Sequence, residues 1–366
     1  MKKLALLLGS LLVVGATASA KEAVVAPVEV SKEVVVVAEP VVEVVTEEAF
    51  RPTGYVGLEY KAYGKTEGHG DKDTWNKNGN DRARLQTTFG IQMTENSRFE
   101  GRVRDYSNLE TGANKSGKDY DTETRLRYFY KHSDVLTSRV QYRHEEDNSQ
   151  NFEYMLRVNA YENKGGLLSK VVLGPKVYHS MAADNGGAYT NAVGLDIEYA
   201  GNLPLGFTWD GTLYLDQNFY NEDVKTSATS TTKKSFDVTW ELYVYRSFGL
   251  YASETNNVDF NMVAGLDPYK FRQYSRYSSA KKATETVDSD GKVVATTPAI
   301  SASTTEKNTY EAQLVLDVTA THQFTPSVKL KAGLGAEYRN WDTVNESEAK
   351  DWRWQPFAFA GVNVTF

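Results

Sequence analysis

From residue 352 to Phe366 the chain alternates. Counting back by two from Phe366, the residues Val364, Val362, Ala360, Ala358, Pro356, Trp354 and Trp352 share one face of an extended strand. Thr365, Asn363, Gly361, Phe359, Phe357, Gln355 and Arg353 share the other. The first face is apolar with aromatics at its ends, and the second is mixed and more polar. A period of two belongs to strands, whose successive side chains point to opposite faces. The same pattern recurs upstream in segments of about ten residues, the length a tilted strand needs to cross a bilayer. These segments lie near 54–64, 82–93, 98–106, 122–131, 138–145, 152–161, 168–178, 192–200, 207–220, 236–246, 258–269, 309–322, 328–341 and 352–366. The expected fold is therefore all-β: a transmembrane antiparallel β-barrel of about fourteen strands, with sixteen as the other even count. Closing such a barrel pairs the last strand with the first and leaves no free edge. Phe366 is then the expected signal for assembly in the bacterial outer membrane, read by the barrel-assembly machinery.

The connections between segments are alternately short and long. Short ones near 94–97, 132–137, 162–167, 201–206, 247–257 and 324–327 are expected in the periplasm. Long ones near 65–81, 107–121, 179–191, 221–235, 270–308 and 342–351, with a shorter one at 145–151, are expected outside the cell. The mean hydropathy of −0.50 would by itself suggest a soluble protein. A barrel evades that test because its polar inner face dilutes the average. Tyr 23, Phe 15 and Trp 6 supply the aromatics that interfacial girdles require.

Residues 1–20 read as a secretory signal, with Lys2 and Lys3 ahead of an apolar run and Ala18-Ser19-Ala20 as the cleavage site. Residues 21–52 are rich in Val, Glu and Pro and read as an extended periplasmic arm, and 53–366 form the barrel. The formal charge of −7 becomes more negative when the leader takes its two lysines away. An acidic chain of this kind argues against a nucleic-acid partner. There is no cysteine, so an exported chain relies on its hydrogen-bond ladder rather than on disulfides.

The face opposite the apolar one carries charges that segregate by strand. Arg82, Arg84, Arg98, Arg102, Arg104, Arg125, Arg127, Arg139, Arg143 and Arg157 form a basic wall over the second to sixth segments. Asp196, Glu198, Asp210, Asp216, Asp237, Glu241, Asp259, Glu311 and Asp317 form an acidic wall over the eighth to twelfth. Opposed walls across a wet lumen create a transverse field that favours polar solutes. Neighbours within one wall read as mostly like-charged, which favours an open, hydrated channel over a filled barrel. The arginines of the second to fourth segments are the expected constriction.

The five histidines have no metal-ligand spacing, and no nucleophile elbow, phosphate loop or dinucleotide fingerprint is present. No cofactor and no catalytic residue is expected. A hydrolase centred on His69 or His179 has only nearby aspartates in its favour.

The chain resembles the FomA-type major outer-membrane porins of fusobacteria. The resemblance runs through the leader Met1-Lys2-Lys3-Leu4-Ala5-Leu6, Arg84-Leu85-Gln86-Thr87, Arg125-Leu126-Arg127, Glu337-Tyr338-Arg339-Asn340 and Trp352 to Phe366. It implies a general-diffusion porin, a homotrimer in outer-membrane lipid, passing small hydrophilic solutes and ions. The valine-rich arm and the 270–308 loop depart from that family. The alternative is a surface adhesin or receptor barrel acting through its loops.

Overall fold

The computed structural model describes residues 50–67, 82–109, 122–145, 149–182, 187–278, 284–287, 293–297, 302–305, 308–340 and 352–366. The leader, nearly all of the arm, His69 and parts of several long loops lie outside these. The barrel unit is Pro52–Thr365.

Its strands are β1 (Thr53–Tyr63), β2 (Arg82–Gln92), β3 (Ser97–Asn108), β4 (Thr122–Lys131), β5 (Leu136–Glu145), β6 (Ser149–Glu162) and β7 (Lys170–Ala182). They continue with β8 (Tyr189–Asn202), β9 (Thr208–Lys225), β10 (Thr231–Ala252) and β11 (Asn256–Arg272). Four short strands follow in the long loop: β12 (Arg276–Ser278), β13 (Thr284–Val287), β14 (Val293–Thr297) and β15 (Ser303–Thr305). β16 (Asn308–Thr325), β17 (Val328–Asn340) and β18 (Trp352–Thr365) complete the set. β1 to β11 and β16 to β18 form one closed barrel in sequence order, each strand antiparallel to the next, with β18 returning to β1. The barrel thus has fourteen strands. The segment 270–308 is not a plain loop, since β12 pairs with β15 and β13 with β14.

Three expected connections are shorter than the alternation suggests. β9 and β10 run on until only 226–230 separates them, β10 and β11 are joined by 253–255, and β5 and β6 by 146–148. Beyond a bilayer neither face of a strand has to be apolar, so the alternation fades while the backbone ladder continues. The connections are all short at one end of the barrel, the end where β1 begins and β18 stops. There Ser97 N and Thr94 O close one turn, and Thr325 Oγ1 caps another by accepting from Val328 N at 3.0 Å.

One face of the barrel wall presents large apolar side chains to its surroundings. Tyr60, Val140, Phe152, Val177, Val193, Trp240, Val318, Leu334 and Trp354 are all exposed and all fall on the alternation's apolar face. Water would penalise this belt at roughly 25 cal/mol per Å² of apolar surface, whereas lipid does not. A closed barrel with such a belt is an outer-membrane architecture, and this protein is an outer-membrane β-barrel.

The seam between the first and last strands is locked on the opposite face. Glu59 Oε1 accepts from Arg84 Nη2 at 2.9 Å, and Glu59 Oε2 accepts from Lys331 Nζ at 2.5 Å. Lys331 belongs to β17 and Glu59 to β1, so the bond crosses over β18. Gly361 of β18 leaves the room, since a Cβ there would come within 3.1 Å of Lys331 Cε and 2.6 Å of the Leu58 carbonyl oxygen. Lys61 repeats the crossing to Glu337 at 3.0 Å, with its ammonium 3.6 Å from the centroid of the Phe357 ring. Glu59→Gln strips the counter-charge from two cations at once. It should destabilise the barrel by about 2 kcal/mol, as hydrogen bonds to charged groups do. On unboiled gels the folded band should convert to the unfolded position at a lower temperature, and an unchanged conversion temperature would show that the seam does not depend on this carboxylate.

Candidate functional site

The inner-face charges are brought together in rows by strand register. Thr88, Arg102, Arg125, Arg143 and Asn151 stand side by side on β2 to β6. One step toward the loop end, Arg104, Glu123 and Glu145 form the next row. One step toward the turn end are Glu100, Arg127, Gln141, Glu153 and Tyr178. Below them run Arg98, Phe129, Arg139, Met155, Lys176, Gly194, Asp216 and Asp237.

This arrangement corrects the expectation of like-charged neighbours. Acids in the same or adjacent rows neutralise the arginines. Glu123 collects three of them: Arg102, Arg104 at 3.5 Å and Arg143 at 3.8 Å. Arg139 pairs with Glu153, Arg143 with Glu145, Arg157 with Glu198, and Arg98 with Glu100 at 3.1 Å. Arg127 Nε donates to Gln141 Oε1 at 2.5 Å, and Arg82 lies over the Tyr106 ring at 4.1 Å. The physical reason is the ladder itself. Inner-face side chains two residues apart on neighbouring strands are within reach of a long arginine, so a Glu between two arginine rows serves both. Arg125 differs from the rest: among the described residues it makes no hydrogen bond or ion pair. It sits between Arg102 and Arg143 in the same row.

The basic and acidic walls meet at Lys176. Its ammonium lies 2.7 Å from Asp196 Oδ1 and 3.0 Å from Asp216 Oδ1, and the Lys176 and Asp196 side chains are only 5% and 4% exposed. Gly194 stands opposite Lys176 on β8, where a Cβ would meet Lys176 Cε at 2.8 Å. The missing side chain opens the gap through which Lys176 reaches β9. The Tyr214 ring lies 5.1 Å from the same ammonium.

Further round, few bases neutralise the acids, and tyrosines take that part. Tyr214 Oη donates to Glu241 at 3.2 Å, Tyr243 Oη to Asp267 at 2.7 Å and Tyr245 Oη to Asp210 at 3.2 Å. Asp317 accepts from Asn261 Nδ2 at 2.8 Å and from Thr319 Oγ1 at 2.6 Å, and Asp237 accepts from Ser235 Oγ at 2.5 Å. Glu311 lies 4.0 Å from Arg339. Asp259 faces Thr319 across the β11/β16 ladder. The tyrosines' role was hidden in the sequence because alternation places them on the inner face without naming their partners. Glu59 pairs with Arg84 at one margin of the basic wall, and Lys176 joins the other margin to the acidic wall. Among the described residues no group of His, Cys, Asp and Glu is placed to hold a metal ion.

A space of about 410 Å³ opens at the turn end, lined by Gln92, Arg98, Phe129, Lys131, Arg157 and Lys170 among others. Its rim is tied by Lys131 to Asp134 at 2.6 Å. The lysine ammonium holds the Asp134 carboxyl below the usual carboxylate range through a hydrogen bond and its charge.

No protein-family model and no curated protein matches the chain. Solved structures do. A bacterial polysaccharide outer-membrane secretin is 11% identical with a TM-score of 0.36, over 86% of this chain and 98% of that one. OmpT, an outer-membrane protein of Vibrio cholerae, is 10% identical with a TM-score of 0.34, over 86% and 97%. An anion-selective porin from Comamonas acidovorans is 9% identical with a TM-score of 0.33, over 86% and 99%. Likenesses this distant add nothing to what the ladder and the belt establish.

Proposed function

We propose that the barrel is a passive, water-filled channel for small hydrophilic solutes and ions, a general-diffusion porin of the FomA type. The observation that carries this is the inner face, where a row of arginines, one of them unpaired among the described residues, stands across from carboxylates held by tyrosines. A wall of this chemistry is stable only in contact with water or ions, because so many charges cannot be left dry. The opposed walls orient a dipolar solute across the lumen, and the field falls off within a Debye length of about 8 Å at physiological salt. In this reading the tight turns face the periplasm, residues 1–20 are a cleaved leader, and 21–52 form a periplasmic arm. The terminal strand with Phe366 is recognised by the barrel-assembly machinery, and three copies associate.

Folded protein added to planar bilayers should give discrete, ohmic current steps. A preparation that shifts on heating in gels, inserts repeatedly and yet passes no current would sink the channel reading.

A further inference from the structure

The outer face is not smooth where β8, β9 and β10 approach the turn end. Leu203, Trp209, Leu213, Leu242 and Val244 line a groove of about 710 Å³. Tyr199 and Trp240 also line it and are joined by a hydrogen bond from Trp240 Nε1 to Tyr199 Oη. Trp209 Nε1 donates to the Leu167 carbonyl oxygen at 2.8 Å. The polar atoms of its aromatic residues are therefore engaged within the protein, and the groove offers carbon to whatever occupies it.

Arg246 stands at the turn-end limit of this groove. It follows Trp240, Leu242 and Val244 at every second position of β10, on the same outward stripe. The arginine is held, not loose. Its Cζ lies 4.9 Å from the Phe248 ring centroid and 5.8 Å from that of Phe207. Gly206, with φ +74°, lets the guanidinium rest against the turn, since a Cβ there would come within 1.8 Å of Nη1. Arg246 Nε is buried without a hydrogen-bond partner. No carboxylate among the described residues pairs with this guanidinium. The adjoining turns push apolar side chains outward, with Leu205 83% and Leu167 66% exposed.

A positive charge on a lipid-facing stripe is costly unless the membrane supplies its partner. The order along β10 is cation first, then apolar groove, running from the turn end toward the bilayer centre. That is the order of a phospholipid, phosphate first and acyl chain after. The six residue steps from Arg246 to Trp240 span about 20 Å, enough for the roughly 15 Å of hydrocarbon in one leaflet.

We propose that this surface binds an anionic phospholipid of the leaflet at the turn end, its phosphodiester on Arg246 and one acyl chain in the groove. The site depends on the barrel's place in the membrane and is independent of the channel reading.

Folded full-length protein in detergent, titrated with phosphatidylglycerol or phosphatidylcholine and read by native mass spectrometry, tests it. Phosphatidylglycerol should bind more tightly than phosphatidylcholine. Arg246→Gln should weaken phosphatidylglycerol binding by about tenfold, the loss of one charge-assisted contact. Arg246→Lys keeps the charge and should retain most of the binding. Val244→Trp, which fills the groove, should weaken binding with Arg246 intact. Gel mobility without boiling shows that each variant is folded. Equal binding of the two lipids, or undiminished phosphatidylglycerol binding by Arg246→Gln, overturns the proposal. So does a change in oligomeric state with lipid occupancy unaltered, which would make this face a contact between copies.

Discussion

Arg125→Glu is expected to move the reversal potential toward cations more than reversal of any carboxylate-paired arginine in the basic wall. The reason is pairing. Arg84, Arg102, Arg104, Arg139, Arg143 and Arg157 each have a carboxylate within 4.0 Å, so a passing ion meets a dipole rather than a bare charge. Arg125 has no such partner among the described residues. An unpaired charge acts at about 1 kcal/mol on an ion 4 Å away in water-like surroundings, which is about a fivefold change in local ion occupancy. Reversing its sign should thus change the cation-to-anion permeability ratio severalfold. The variant should also fold at least as well as the parent, because it replaces the middle member of the row Arg102–Arg125–Arg143 with an acid. Reversing Arg102 instead should cost stability, since Glu123 would then face a like charge. Bilayer recordings under a salt gradient give the comparison. If Arg125→Glu leaves the reversal potential where it was, the row does not line the conduction path.

The largest stability effect should come from Lys176→Met. Lys176 is the counter-ion of Asp196 and Asp216, and Asp196 is only 3% exposed. Removing one partner of a buried ion pair leaves an uncompensated charge and costs about 3–5 kcal/mol. Urea unfolding in detergent should show the midpoint falling accordingly. The triple variant Lys176→Met, Asp196→Asn, Asp216→Asn should recover most of that loss, because a buried ionic cluster replaced as a unit is close to neutral. If the triple variant is as unstable as the single one, packing of the lysine stem rather than charge carries the effect.

The basic wall shows what local pattern can and cannot reveal. Which residues share a face follows from parity alone, and parity needs no knowledge of neighbours. Whether Arg102 and Arg125 repel or are neutralised depends on register, and register is set by where each turn closes. Glu123 looks like an interruption in a run of arginines. On the ladder it stands beside Arg104 and reaches Arg102 and Arg143. Tyr214, Tyr243 and Tyr245 likewise acquire meaning only when the acids they serve arrive from a neighbouring strand. Strand ends were harder to read than strand centres for a related reason. β9, β10 and β11 extend past the apolar belt as hairpins, where the ladder persists and the alternation does not.

Alternation along the chain is enough for the class of fold. A period of two repeated across some fourteen segments, apolar on one face and charged on the other, admits a barrel in lipid and little else, because lipid tolerates no unpaired backbone. It also determined which side chains face lipid. Strand register and closure set the rest. Bringing β18 back to β1 set Lys331 and Lys61 across the seam, while pairing along the wall brought Lys176 over Gly194 to two acids, left Arg125 without a carboxylate partner among the described residues, and laid Arg246 at the foot of an apolar groove. These are relations between strands, fixed by stagger and shear around the whole barrel. No single strand carries that information.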